Sequence, residues 1–165
     1  MDFAPVISGD GSKIAFSSET DGDFEIYVVN SDGTGLTQLT HNTAADYNPS
    51  ISGDGSKIAF QSDLGGDFEI YVVNSDGTGL LQLTSNTADE TNPSISGDGS
   101  KIAFQSNLDG DYEIYIVNSD GTGLTQLTTN TVQDSRPVIS SDGSVIAYES
   151  YAGGDAEIAV ITSDG

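Results

Sequence analysis

The sequence predicts an all-β fold in which four similar units form the blades of a β-propeller. Pro5, Pro49, Pro93 and Pro137 are each 44 residues apart, and about 33 of 44 positions are identical between residues 49–92 and 93–136. A period of about 40–45 residues with several short strands in each unit is typical of propeller blades. No segment has the apolar spacing of an amphipathic helix, which supports an all-β chain.

Each unit divides into four strands, as the second unit illustrates. NPSIS (48–52) is followed by a GDGS turn and KIAFQS (57–62), and a loop then leads to FEIYVVN (68–74) and LLQLT (80–84). The Asp-Gly pairs suit tight turns because glycine adopts positive φ without a Cβ penalty. Both alternating sets of FEIYVVN are largely apolar, so we expect neighbouring blades to cover both faces of this strand.

We place the blades at about residues 1–44, 45–88, 89–132 and 133–165, as a single propeller domain. The sequence therefore predicts a β-propeller of four 44-residue, antiparallel, four-stranded blades, the last of which lacks its outermost strand after AEIAVIT (156–162). Three arrangements are open: a small closed ring, an oligomer that completes a larger ring, or a fragment. Nearly identical blades favour symmetric assembly because their surfaces are nearly interchangeable.

The phrase NPSISGDGSKIAFQS…GDFEIYVVNSDGTGLLQLT resembles the repeat of the TolB-like, WD-like propeller family, and the resemblance covers essentially the whole chain. Two positions depart from that family's pattern. Isoleucine (Ile51) replaces the usual tryptophan, and glycine or serine replaces the proline that usually precedes Asp-Gly. The resemblance implies blades around a central channel, usually six of them. It also implies a periplasmic or secreted location, although MDFAPVIS lacks the features of a signal peptide.

The charge of the chain limits its partners. With 26 acidic and four basic residues, the formal net charge is −22. Nucleic acid is a poor partner because few basic groups can neutralise phosphates, and no apolar run is long enough for a membrane helix. Without cysteine there are no disulfides and no thiolate metal ligands. We expect protein partners or self-association.

The turn aspartates Asp10, Asp54, Asp98 and Asp142 are interpreted as turn residues, since GDGS offers one carboxylate and a calcium loop needs about six oxygens or more. A second hypothesis concerns the column three residues before each proline. By symmetry it forms a ring of carboxylates at the channel mouth that recruits calcium or sodium; no other cofactor is expected. The residues of this column are Asp2, Asp46, Glu90 and Asp134.

Two other sets of acids are candidate sites. Asp21, Asp23 and Glu25, with Asp109, Asp111 and Glu113, resemble a cation cluster that the second and fourth units do not repeat in full. The recurring glutamates Glu25, Glu69, Glu113 and Glu157 lie among apolar neighbours, where a buried carboxyl needs hydrogen bonds. Four equivalent copies favour a repeated structural bond between blades over catalysis.

No catalytic set is evident. His41 is the only histidine and Arg136 the only arginine, so histidine-rich centres and Ser-His triads lack parts. We predict a non-catalytic binding or assembly scaffold, with partner contacts in the loops that vary between units and at His41, Tyr47, Arg136 and Tyr151. Two alternatives stay open: a carbohydrate-active or hydrolytic propeller that uses loop carboxylates, and an engineered or truncated propeller with no cellular function.

Overall fold

The computed structural model describes residues 1–20 and 22–165, and the described residues form strands joined by turns. The strands are β1 (Asp2–Ile7), β2 (Lys13–Glu19), β3 (Phe24–Asn30), β4 (Thr37–Gln38), β5 (Asp46–Ile51), β6 (Lys57–Ser62), β7 (Glu69–Asn74), β8 (Leu81–Gln82), β9 (Glu90–Ile95), β10 (Lys101–Ser106), β11 (Glu113–Asn118), β12 (Thr125–Gln126), β13 (Asp134–Ile139), β14 (Val145–Ser150) and β15 (Glu157–Thr162). Among the described residues there is no helix that could cross a membrane.

The strands form four antiparallel sheets in chain order. Three sheets have four strands, ordered β1-β2-β3-β4, β5-β6-β7-β8 and β9-β10-β11-β12, and the last has the three strands β13-β14-β15. The predicted fold class is therefore confirmed, including the missing outermost strand of the fourth blade. The outermost strands that are present are only two residues long, which limits the unpaired edge that each blade exposes.

The core consists of the interfaces between adjacent blades. In the first interface, Ile26 and Val28 of the first blade pack against Ile58, Phe60 and Tyr71 of the second. Equivalent apolar clusters join the second blade to the third and the third to the fourth. The third strand of an internal blade is thus buried on both faces, as its two apolar alternating sets predict.

Each innermost strand contains a bulge just before its proline. The residues Ala4, Asn48, Asn92 and Arg136 have φ between 48° and 54°, a left-handed conformation that is uncommon for residues other than glycine. The pairing register shifts at the same place in every blade. The proline that follows has no backbone N–H to donate. The bulge and the proline therefore leave a short segment of each innermost strand unpaired.

The GDGS segments are tight turns, as predicted. The carboxylate Oδ1 of Asp54 accepts hydrogen bonds from Ser52 Oγ at 2.7 Å and from the Ser56 amide at 2.9 Å. Hydrogen bonds from Ser56 and Ser52 lower the pKa of Asp54 to about 2. The same pattern recurs at Asp10 and Asp98, so these aspartates stabilise their own turns.

The turns also connect neighbouring blades. The amide of Gly53 donates to the carbonyl of Gly97 at 2.8 Å. The ammonium of Lys57 reaches Ser119 Oγ in the next blade at 2.7 Å, and Lys13 and Lys101 make the equivalent bonds. Three of the four basic residues therefore donate hydrogen bonds between blades, at the end of the propeller that carries the GDGS turns.

The four blades form an open arc. The inner strands β1 and β5, β5 and β9, and β9 and β13 pack side by side, but β1 and β13 do not form an equivalent contact. Of the three arrangements left open by the sequence, the small closed ring is not the one observed. The first blade consequently has one uncovered sheet face, and so does the fourth.

The close contact between Gly53 and Gly97 predicts a clear effect of substitution. A Cβ at Gly53 would lie 2.8 Å from the carbonyl oxygen of Gly97, whereas a Cβ at Gly65 would meet nothing closer than 3.8 Å. We expect Gly53→Ala to destabilise the fold by about 1–3 kcal/mol, in the range of other overpacked sites. Urea denaturation measures the change. Gly65→Ala is the control, and equal effects of the two substitutions would contradict the inferred contact.

Candidate functional site

The concave inner surface of the arc is a channel wall built from equivalent residues of all four blades. It borders an open cavity of about 360 Å³. The wall consists of Ala4 and Val6 of the first blade and of residues 48–50, 92–94 and 136–138 of the others, and none of these described residues is an aspartate or a glutamate. The prolines and their neighbours thus present a neutral surface with one basic group, Arg136.

Two glutamines hold the inner strands in place. Gln61 Oε1 accepts hydrogen bonds from the amide of Asn92 and from Asn48 Nδ2, both at 3.0 Å. Gln105 Oε1 accepts the equivalent bond from the amide of Arg136 at 2.8 Å. The bulge leaves one backbone amide of each inner strand without a partner in its own sheet. The glutamine side chain of the preceding blade accepts the hydrogen bond from that amide.

Arg136 lies on the channel wall and forms an ion pair with Glu149 of the same blade. The distance between its guanidinium Nη1 and Glu149 Oε1 is 3.3 Å, and no other ion pair occurs within residues 1–20 and 22–165. An exposed pair of this kind contributes little to stability. Arg136 is thus an accessible cation in an otherwise strongly acidic chain.

The four acids predicted to ring the channel mouth do not converge there. Asp46, Glu90 and Asp134 are buried in three separate interfaces between blades, where each accepts a hydrogen bond from an asparagine four residues earlier in the chain. Asp2 is exposed and accepts a bond from Ser18. The bulge places the residue next to the proline on the channel wall, while the acid lies two positions earlier within the interface. Cation binding by these acids stays a prediction.

A second carboxyl lies beside each of these buried acids. Glu25 is next to Asp46 and Glu69 is next to Glu90, and both glutamates accept a backbone amide from the connection to the following blade. This bond occurs at two of the four recurring glutamates, whereas both carboxyl oxygens of Glu113 lack a hydrogen-bond partner and Glu157 is exposed. A structural role common to all four stays a prediction. Burial raises the pKa of Glu25 and of Glu90 to about 7 and also raises the pKa of Asp46 and Glu113.

The candidate cation clusters in the loops gain no support. Asp21 lies outside the described residues. In the other cluster, Asp109 accepts a hydrogen bond from Gln126 Nε2 at 2.7 Å, and Glu113 is buried in an interface. Within the part of the chain that the structure describes, no group of three or more acidic or histidine side chains is arranged to hold a metal ion.

The predicted partner residues lie in three different blades. His41 is exposed in the connection that follows the first blade, and Tyr151 is exposed in a loop of the fourth, which also carries Arg136. Tyr47 belongs to the second blade and contacts the rings of Phe24 and Phe68. The four residues therefore do not form one surface, and their role in partner binding stays a prediction.

Sequence reasoning missed an aromatic row that contains Tyr47. The ring centroids of Phe3 and Phe24 are 5.5 Å apart, those of Phe24 and Tyr47 are 4.9 Å apart, and those of Tyr47 and Phe68 are 6.2 Å apart. The signal was present in the repeats. At the positions equivalent to Tyr47, the first unit has an aromatic residue, Phe3, and the last two have Thr91 and Ser135. The row thus distinguishes the first two blades from the others.

Four-stranded antiparallel blades joined through apolar faces, with proline-marked inner strands around a channel, define a β-propeller module. The family model of the TolB β-propeller domain matches residues 1–165. The chain belongs to this family, as the resemblance of its repeat implied. A comparison with proteins of curated function finds no match.

Solved structures agree with the family. A protein described as TolB from Agrobacterium tumefaciens is similar with a TM-score of 0.80 and 26% identity, over 96% of this chain and 60% of its own. TolB from Acinetobacter baumannii is similar with a TM-score of 0.75 and 25% identity, over 98% of this chain and 41% of its own. The chain therefore spans less than two thirds of the length of these relatives.

Similarity of fold extends to an enzyme. A puromycin-hydrolyzing peptidase of Mycobacterium tuberculosis is similar with a TM-score of 0.75 and 16% identity, over 99% of this chain and 27% of its own. At this identity the likeness concerns the fold alone. A propeller of this shape thus occurs both in TolB proteins and within a hydrolase, and fold alone does not decide the activity.

The buried carboxyls predict that stability falls as the pH rises. Glu25 and Glu90 have a pKa of about 7 in the folded chain against an ordinary value of 4.5, so between these values the folded state binds more protons than the unfolded state. We expect the melting temperature to decrease by several degrees from about pH 5 to about pH 7 and then to level off. Thermal unfolding in a buffer series measures it.

Neutral substitution identifies the groups responsible. Glu90→Gln should flatten the dependence of the melting temperature on pH between pH 5 and 7. Asp76→Asn in an exposed turn is the control and should leave this dependence unchanged. Hydrogen bonds from Thr78 lower the pKa of Asp76, so the contribution of Asp76 to stability is lost only in more acidic solution. An equal slope in the wild type and in Glu90→Gln would contradict the assignment to this carboxyl.

Proposed function

We propose that the chain is a non-catalytic β-propeller module that acts as an assembly scaffold, in which an end face of one copy binds an end face of a second copy. The observation that carries the proposal is the unequal exposure of equivalent residues. Positions that are buried or partly buried in the internal interfaces are exposed apolar residues at the two ends of the arc.

The forward face of a blade is defined as the face that contacts the next blade in the chain. In the fourth blade it carries Ile158 and Val160, which are 73% and 65% exposed. The residues equivalent to Ile158 in the other blades are Ile26, Ile70 and Ile114, and each is 0% exposed. Full burial of one such side chain contributes about 1.5–3 kcal/mol, so covering this face is strongly favourable.

The rear face of a blade is the opposite face, which contacts the preceding blade. In the first blade it includes Ile7, which is 61% exposed, whereas the equivalent Ile95 and Ile139 are 6% and 7% exposed. Ile14 and Phe16 on the same face are also only partly buried. The arc therefore ends in two apolar surfaces of different kinds.

These two surfaces are complementary because the internal interfaces join the same two kinds of face. In the first internal interface, Ile26 and Val28 of a forward face pack on Ile58 and Phe60 of a rear face, and residues at the equivalent positions meet in the other two internal interfaces. The forward face of the fourth blade and the rear face of the first blade are such a pair. A second copy supplies the missing partner by a head-to-tail contact, which closes when the rotation permits it.

Two substitutions make the forward face of the fourth blade more apolar than the internal ones. Val138 stands where the second and third blades have Ser50 and Ser94, and Val145 stands where the first three blades have lysine. A large exposed apolar patch is uncommon on soluble proteins and often marks an interaction site, so these valines support a covered surface.

The non-catalytic part of the proposal is supported by the placement of the acids. The carboxyl pairs lie buried between blades, and the described channel wall contains no carboxylate. A two-carboxylate mechanism of glycoside hydrolysis requires both groups beside the substrate. The predicted cation is not part of the proposal, since the four acids do not converge. The periplasmic or secreted location and the partner residues His41, Tyr47, Arg136 and Tyr151 stay predictions.

Solution mass tests the assembly. The 165-residue chain has a mass of 17.1 kDa, and sedimentation velocity at micromolar concentration should give about twice this mass for a pair of copies. Ile158→Glu should reduce the mass to that of one chain, because a charged residue cannot be buried unpaired in the interface. Leu108→Glu is the control, since Leu108 is also exposed but lies in a loop between the second and third strands.

The fold of both variants is checked by circular dichroism, and we expect both to fold because each substituted side chain is exposed. A wild-type mass of one chain at all concentrations would overturn the proposal. An equal loss of mass in both variants would show that the association does not use the forward face of the fourth blade.

A further inference from the structure

A pocket between the first and second blades is lined by residues that differ from their equivalents in the other interfaces. It is an open cavity of about 450 Å³, within the size range of small-ligand sites. Three aromatic residues line it, Phe3, Phe24 and Tyr47, together with Ala4, Ser17 and Asn48. It lies inside the chain and does not involve either end face of the arc.

The pocket exists because of one residue difference between repeats. Ser17 stands where the second and third blades have Gln61 and Gln105. Those glutamines fill the space and accept the amides of Asn92 and Arg136. Serine is too short to make the equivalent bond to the amide of Asn48, so the space beside it is left open.

Ser17 forms part of the pocket wall and is 1% exposed. Its hydroxyl oxygen is enclosed and has no hydrogen-bond partner, as is true of nine other side-chain oxygens among the described residues. Ser17 therefore contributes to the pocket through its small size, and the aromatic rings supply the surface that a ligand contacts.

The surroundings of the pocket favour a positive charge. Phe3 and Phe24 meet at 60°, and Phe24 and Tyr47 at 39°, so the rings form adjoining walls rather than one flat platform. Burial raises the pKa of the Tyr47 phenol, and the negative charges of the nearby Asp63 and Glu19 carboxylates raise it further. Aromatic faces attract cations, and the net charge of −22 strengthens the attraction.

We propose that this pocket binds an alkylammonium group, the chemistry shared by a lysine side chain and a small aliphatic amine. The ammonium and its methylene groups contact the rings of Phe3, Phe24 and Tyr47, and its charge is balanced by Asp63 and Glu19. This site is independent of the assembly proposed above, since neither end face contributes to it.

NMR titration tests the site with defined probes. n-Butylammonium and Nα-acetyl-lysine amide should each shift the amide signal of Asn48 in a saturable way, and Nα-acetyl-norleucine amide, which lacks the charge, should not. The two cationic probes distinguish the sources: tighter binding of the lysine amide favours a lysine side chain, and tighter binding of n-butylammonium favours a free amine.

Ser17→Gln is the decisive variant because it installs the residue that the second and third blades carry. We expect it to weaken binding of both cations by about tenfold or more. It should also raise the melting temperature, since the glutamine fills the cavity and accepts the Asn48 amide. A weakened affinity in a more stable protein cannot be attributed to unfolding.

Gln61→Ser is the matched control in the next interface. It opens an equivalent space, but Thr91 replaces the aromatic residue found at Tyr47, so we expect no gain of cation binding. Unchanged affinity in Ser17→Gln, equal binding of the norleucine amide, or no saturable shift with either cation would overturn the proposal. In the last case the space holds water only.

Discussion

The burial of apolar strand faces between blades is the interaction on which the rest of the structure depends. No blade has a core of its own, because a single twisted sheet cannot cover its own faces. Ile26, Ile70 and Ile114 are fully buried only because another blade lies against them. Stability is therefore a property of pairs of blades, as in other repeat architectures.

The buried carboxyls are acceptable in these interfaces because they are supported by neighbouring groups. An asparagine four residues earlier donates to each of Asp46, Glu90 and Asp134, and a serine hydroxyl of the adjacent strand also donates to Glu90. A second carboxyl beside them would be unfavourable if both were ionised, and burial raises the pKa of Glu25 and Glu90 to about 7, which favours their protonated forms. The polar part of each interface thus depends on protonation, whereas the apolar part does not.

The sequence predicted the fold well because the repeat carries it. The 44-residue period, the Asp-Gly turns and the doubly apolar third strand each describe one blade, and four copies repeat the information. The position of the acids was not predictable in the same way. Symmetry between the repeats predicts Asp46 at the channel mouth, but the bulge at Asn48, which has φ of 51°, changes the direction of the residues before the proline.

The candidate sites lie where the repeats differ, and a difference has no periodic signal. Ser17 in place of glutamine and Val138 in place of serine are single-residue departures whose meaning depends on the blade opposite. Only the assembled interfaces show that the first creates a space and that the second lies on an uncovered face. Symmetry identifies the architecture, and the exceptions to symmetry identify the places for function.

The aromatic row has a consequence for folding. Near-identical interfaces allow a blade to pair with the wrong neighbour, which is a characteristic route to misassembly in repeat proteins. The row of Phe3, Phe24, Tyr47 and Phe68 is confined to the first two blades. It gives the first interface an identity that the later ones lack, so it helps to specify which two blades pair at that interface.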